Sequence, residues 1–393
     1  MSTIGRCVPD GMAGPALLLA ALMASLRGLG ASLMAAVPKH HPVIVCVIVY
    51  LSAAASLSRL VGFQRTLTVS SYAANLTALA KVFVIVLVLG FCARVVHIML
   101  FDRPRRLARH IFFDLQSRMF TNHRLAQSFL IFLLMSLFMT AYTSIKTLIP
   151  QFHPFSWDAT LSQWDLWLHG GYHPWQLLQP VIGHPLISSM INVVYNFWFY
   201  VVFSVMAWQA ASLRDPRLRL QFLLSFVLTW ALLGSLAATI FSSAGPVYYG
   251  RATGLEDVYA PLMAYLHAAN EHYPIWALGV QEKLWFYYQH LIPGTGSGIS
   301  AMPSMHVGTS VLFTLLARRT HRLLGFAFAA FTGVILVGSV HLGWHYAVDA
   351  YVAIAATCLI WIVVGRALAR SDDAPGPEWS STSAPLATSS RRS

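Results

Sequence analysis

Charge is what this chain lacks. Only 10% of its 393 residues are Asp, Glu, Lys or Arg, against roughly a quarter in an ordinary soluble domain, which excludes that class. Cysteine is scarce as well. Cys46, Cys92 and Cys358 lie within apolar runs and Cys7 near the start; four such residues give no disulfide framework and exclude a stapled secreted domain. Acid is scarcer than base, 14 residues against 26. What is abundant is apolar side chain: 57% of residues are hydrophobic, 13% are aromatic, and the mean hydropathy is +0.61. Such a composition excludes disorder over most of the length. The class that remains is an all-α, polytopic membrane helical bundle.

A spanning helix needs roughly 20 largely apolar residues, because about 30 Å of hydrocarbon is crossed at 1.5 Å per residue. Stretches 43–61, 77–99, 127–146, 187–209, 219–242, 303–317, 323–340 and 346–366 meet that requirement, giving about eight spans. The segment 12–26 (MAGPALLLAALMASL) is shorter and is interrupted by Arg27; it reads as a signal-like or interfacial helix. The chain then divides into residues 1–126, with two spans and a basic loop, a six-helix core at 127–366, and a Pro/Ser-rich disordered tail at 371–393.

The excess of base has a topological meaning. A pI near 9.8 in a soluble protein would suggest nucleic acid. Here the arginines sit in short loops: Arg103 to Arg124 after the second span, Arg214, Arg217 and Arg219 after the fourth, Arg318, Arg319 and Arg322 after the sixth, and Arg366, Arg370, Arg391 and Arg392 after the eighth. The opposite side holds only Arg59, Arg65, Lys146, Arg251 and Lys283. The positive-inside rule predicts cytoplasmic termini in a multi-pass cell-membrane protein, with membrane lipids rather than nucleic acid as partners. Two long external segments, 147–186 and 243–302, are rich in Trp, Tyr, His and Pro and read as partly helical layers on the outer surface.

Ionisable residues gather on that outer side. GTGSGIS (294–300) runs into Met302-Pro303-Ser304-Met305-His306; a glycine-rich turn entering a helix is an anion site, and Pro303 suits a first helical turn. HLGWHYAVD (341–349) follows the seventh span, and His345 and Asp349, four apart, share a helical face. A carboxylate bonded to one imidazole nitrogen leaves the other free as nucleophile or base. Spans six and seven form a hairpin, so His306, His341 and His345 reach one level. A zinc site would need three or four converging ligands; Asp349 suits His345 better as a partner, so neither metal nor cofactor is predicted.

SAMPSMHVG (300–308) with HYAVDA (345–350) resembles the two signature motifs of the type-2 phosphatidic acid phosphatase superfamily. More closely it resembles the branch of inositol phosphorylceramide and sphingomyelin synthases, and SSAGPVYYG (242–250) is similar to a preceding motif of the inositol phosphotransferase branch. The resemblance, over about 127–366, implies His345 as nucleophile on phosphorus, Asp349 as its orienting partner and His306 as acid and then base. Two departures stand out. Gly338-Ser339 occupies the place of the phosphatases' Ser-Arg, and their Lys and Arg-Pro motif is absent. Fewer cations favour a phosphodiester over a dianionic monoester. Arg251 or Lys283 would replace the missing charge, with Tyr249, Ser304 and His341 as further substrate-binding candidates. The predicted activity is phosphotransfer of a lipid headgroup, phosphoinositol being the one the resemblance implies, to a lipid alcohol. The competing readings are a lipid phosphate or pyrophosphate phosphatase and, more distantly, a proton-coupled transporter, for which no internal repeat speaks.

Overall fold

The computed structural model describes residues 27–60, 69–114, 121–290, 292 and 298–373. Segment 12–26, positions 294–297 of the glycine turn, and the tail from 374 onward lie outside the described residues. Among the described residues there is helix and no strand. In order the helices are α1 (Arg27–Leu60, with a 3-10 turn at Pro38–His40), α2 (Val69–His97), α3 (Leu107–Asp114), α4 (Asn122–Phe152), α5 (Asp158–Leu168), α6 (Pro174–Ile182), α7 (Pro185–Ala211), α8 (Pro216–Ile240, with a π turn at Leu232–Ala237), α9 (Tyr249–Thr253), α10 (Ala260–His272), α11 (Trp276–Gln289), α12 (Met305–Thr320), α13 (Arg322–His341) and α14 (Ala347–Asp373).

Among the described residues, six helices are long and apolar enough to cross a membrane: α1, α4, α7, α8, α13 and α14. Eight were expected. α2 covers the span expected at 77–99, with many of its side chains outside the described residues. The expected span at 303–317 is α12, whose 16 residues rise only about 24 Å. It can be short because it is walled by protein, packing on α7, α8, α13 and α14, and it buries Val307, Leu312 and Phe313. The lipid-facing helices show the opposite pattern: Val45, Ile48 and Val49 of α1, Met190, Val193 and Phe197 of α7, and Leu359, Ile362 and Val363 of α14 are exposed. An apolar surface of that extent belongs in a hydrocarbon solvent.

Helix ends are set by local chemistry. Thr121 caps α4 and Asp215 caps α8, with Pro216 at its first position. Pro303 lies just before α12 rather than in its first turn, because Ser304 is the N-cap and its Oγ accepts from Val307 N at 3.5 Å. α14 runs on to Asp373, so the first three residues of the expected tail are helical. Small residues let the core helices meet, the usual solution where lipid offers no hydrophobic drive. A Cβ on Gly308 would stand 3.0 Å from Thr357 Oγ1, 3.7 Å from Ala353 and 3.8 Å from Thr229, so α8, α12 and α14 converge within a turn of His306. α4 extends to Phe152 and α8 to Ile240, and the short helices α5, α6, α9, α10 and α11 occupy the two aromatic segments. Leu161, Leu262, Leu266 and Ala269 of that layer are buried.

Candidate active site

Three short segments distant in sequence interlock at the histidine end of the bundle. Gly245 has φ +101°, and a Cβ there would come 2.6 Å from Trp344 O, so the 242–248 segment lies directly on the turn that carries His345. Val247 N donates to Gly343 O at 2.9 Å in the same seam. Ser243 grips the third segment: its carbonyl accepts from Ala301 N at 3.0 Å and its Oγ from Met302 N at 3.1 Å. Ala301 then holds the catalytic candidate, since His345 Nδ1 lies 2.8 Å from Ala301 O and 3.3 Å from Asp349 Oδ2. Both partners accept, so the ring proton sits on Nδ1 and Nε2 carries the free lone pair. Burial pushes His345 down to about 3; the Ala301 bond opposes the shift and the Lys146 charge adds to it. A neutral imidazole results at ordinary pH.

His306 stands in the first turn of α12 with its ring centroid 6.2 Å from that of His345. The aromatic run of α7 fixes it: Tyr195 stacks at 4.6 Å, Trp198 lies at 4.2 Å, and Phe199 meets it edge-on at 5.9 Å. Trp198 Nε1 also donates to His306 O at 3.1 Å. This clamp was not read from the sequence, where VYNFWFY looks like any apolar span.

A cation other than Arg251 and Lys283 stands near the two histidines. Lys146 of α4 acts electrostatically on both imidazoles, and no carboxylate opposes its charge among the described residues. Gly298, at φ +89°, rides on the backbone of Lys146, where a Cβ would stand 2.8 Å from its carbonyl carbon. The end of the glycine turn thus crosses the helix at the lysine, beside the N-terminus of α12. A cation held away from water without a counter-ion is expensive.

Two further carboxylates, on α5, tie the frame together. Asp158 accepts from Ala244 N at 2.9 Å, Gly245 N at 2.8 Å and Tyr346 Oη at 2.8 Å, and burial raises it against the pull of the two N–H groups. Asp165 accepts from Ala347 N and Val348 N at 2.8 and 2.9 Å, capping α14. Burial pushes Asp165 up to about 6, those N–H groups oppose the shift, and the Asp349 charge adds to it.

The sequence profile of the PAP2 superfamily matches residues 159–363. The chain belongs to the PAP2 superfamily. No curated protein and no solved structure matches it. PAP2 members act on phosphate esters as phosphatases or phosphotransferases, so the chain is a membrane-embedded enzyme of that general type. The PAP2 match covers His306, His345 and Asp349, while Lys146 precedes it.

The other predicted residues are distributed differently from expectation. Ser304 is the buried cap of α12. His341 does not join the pair: its Nε2 lies 2.8 Å from Ser188 Oγ, and its ring packs beside Tyr265. Tyr249 is buried edge-on against Tyr259. Arg251 is ion-paired to Glu282 at 2.8 Å and lies over Trp285, and Lys283 lies over Tyr287. Both are exposed on the outer layer with partners of their own, whereas the charge of Lys146 bears on both histidines. Among the described residues no three His, Cys, Asp or Glu side chains converge as metal ligands.

Proposed function

We propose that this chain moves a phospho-headgroup from a phospholipid to a lipid alcohol through a phosphohistidine on His345. The observation that carries the reading is a neutral imidazole pinned through Nδ1 to Ala301 O, with a second imidazole 6.2 Å away. In the first step the Nε2 lone pair of His345 forms a bond to phosphorus. The P–O bond to the diacylglycerol breaks, its electron pair leaves on oxygen, and His306, which takes up a proton as the anionic phosphate binds beside it, gives that oxygen the proton. In the second step the acceptor hydroxyl oxygen attacks phosphorus, neutral His306 takes its proton, and the N–P pair returns to Nε2.

Lys146 and the α12 N-terminus stabilise the phosphoryl oxygens. One cation balances the single charge of a phosphodiester, which supports a phospholipid donor over a monoester. Phosphoinositol is the headgroup implied by the motif resemblance. The outer aromatic layer would keep water from the intermediate, and the site would face away from the cytoplasm, with both termini inside.

The test uses the purified full chain and a phosphatidylinositol labelled in its headgroup phosphate. Without acceptor, acid-labile label should remain on the protein and be absent from His345→Ala; added lipid alcohol should chase it into a new phospholipid. Chelators should leave both steps unchanged. Label released only as free headgroup phosphate, even with acceptor present, would replace transfer by hydrolysis.

A further inference from the structure

The pole of the bundle opposite the histidines holds a cavity of about 570 Å³. Its walls come from the first turns of α8, the last turn of α12 and the C-terminal turns of α14. Arg319 lies roughly 20 Å along α12 from His306, and Arg366 about 26 Å along α14 from Asp349, at 1.5 Å per residue. The cavity is therefore separate from the proposed reaction.

Its chemistry is two-sided. Arg217, Arg319 and Arg366, one from each helix, supply three guanidinium groups. The carboxylate lining it, Asp215, is engaged as the α8 cap, accepting from Leu218 N at 2.8 Å. Arg319 and Arg366 keep positive charge at the mouth. The inner wall is apolar, with Leu218 and Trp361 buried and Ile362 exposed beside Leu359 and Val363 on the lipid-facing strip of α14. The floor is tightly built. Gln221 Nε2 donates to Trp361 O at 3.0 Å, and Gly365 leaves no room for a Cβ against the Gln221 amide.

Topology alone accounts for arginines at this pole, but not for their convergence from three helices on one cavity with a lipid-facing apolar wall. We infer that the cavity binds one anionic phospholipid, its phosphate held by Arg319 and Arg366 and an acyl chain lying along Ile362. Guanidinium forks match phosphate oxygens in geometry and charge.

Native mass spectrometry of the delipidated full chain tests this, with phosphatidylglycerol and phosphatidylcholine as probes. Phosphatidylglycerol should be retained roughly tenfold more tightly, because the choline cation of phosphatidylcholine would meet the guanidinium groups with like charge. The double variant Arg319→Gln/Arg366→Gln should lower its retention to the phosphatidylcholine level. Both positions are exposed, and an unchanged melting temperature will establish that the variant is folded. Arg322→Gln, at the same pole but outside the cavity, should retain the preference, as should Lys146→Met, which separates this cavity from the histidine site. Equal retention of the two lipids, or equal loss in Arg322→Gln, would overturn the inference. Displacement by inorganic phosphate at the lipid's own concentration would overturn the lipid as source.

Discussion

The imidazole of His345 leans on the Ala301 carbonyl at 2.8 Å, closer than on the Asp349 carboxylate at 3.3 Å. A backbone acceptor survives side-chain substitution, so the tautomer outlasts the loss of the carboxylate. Asp349→Asn should lower kcat by about 10- to 100-fold, the scale of an orienting partner. His345→Ala and His306→Ala should each cost about a thousandfold or more, because nucleophile and acid act as a unit. Turnover of the three variants in one lipid assay checks the order. Equal loss in all three would make Asp349 an equal member of the chemistry.

Lys146 gives the second test. Its charge reaches both histidines, whereas Arg251 and Lys283 are exposed and occupied elsewhere. Lys146→Met should reduce kcat/KM by roughly a hundredfold, as removal of one preorganised charge donor does, and Lys146→Arg should restore part of it. Arg251→Gln and Lys283→Gln should stay within about twofold, the range of exposed charges. A large loss in either exposed variant would return the phosphate to the outer layer.

The histidines were legible because spacing and topology suffice for them: four residues separate His345, just before α14, from Asp349 in its first turn, and a hairpin returns the chain to His306. Lys146 was visible only as a cation on the outer side, since nothing along the sequence shows that α4 ends beside the glycine turn. Asp158 and Asp165 were taken for part of a surface layer, because their partners are backbone N–H groups of segments about 80 and 180 residues away. Among the described residues, the expected span at 303–317 is a shorter helix than its hydropathy suggests, for a physical reason. Hydropathy reports how apolar a helix is, not whether lipid or protein surrounds it, and α12 is surrounded by protein.

Glycine geometry makes a paired prediction. Gly245 and Gly254 both have positive φ, +101° and +70°, but a Cβ at 254 meets nothing within 4 Å while one at 245 meets Trp344 O at 2.6 Å. Gly254→Ala should cost about 1 kcal/mol of stability through backbone strain alone and spare activity. Gly245→Ala must push apart the 242–248 segment and the His345 turn, so turnover should fall at least about tenfold even where the variant folds. Thermal unfolding and turnover of both variants decide it. Equal behaviour would show that the seam tolerates displacement.

The partition of basic residues predicts orientation. In a cysteine-free background, Leu255→Cys in the outer layer should react in intact cells with a membrane-impermeant thiol reagent, and Thr320→Cys, at the end of α12, should react only after permeabilisation. The reversed pattern would put the histidines on the cytoplasmic side.

Stability should carry two opposed pH dependences. His345 titrates near 3 in the fold and near 6.5 unfolded. Between those values the unfolded chain holds the extra proton, so this group's contribution to stability falls as pH drops from 6.5 toward 3. Asp165 titrates near 6 in the fold and near 3.8 unfolded. Here the folded chain holds the extra proton, so its contribution falls as pH rises from 3.8 to 6. Each slope reaches at most about 1.4 kcal/mol per pH unit, and in the parent they offset one another. Removing one exposes the other. Measured as melting temperature in detergent between pH 4.5 and 6, His345→Gln should gain on the parent as pH falls, and Asp165→Asn should gain on the parent as pH rises. A uniform cost of substitution cancels in such slopes, so packing losses do not blur the result. Slopes of the same sign in both variants would mean that one of the two groups is not buried as described, and the neutral imidazole that begins the proposed reaction would then need another origin.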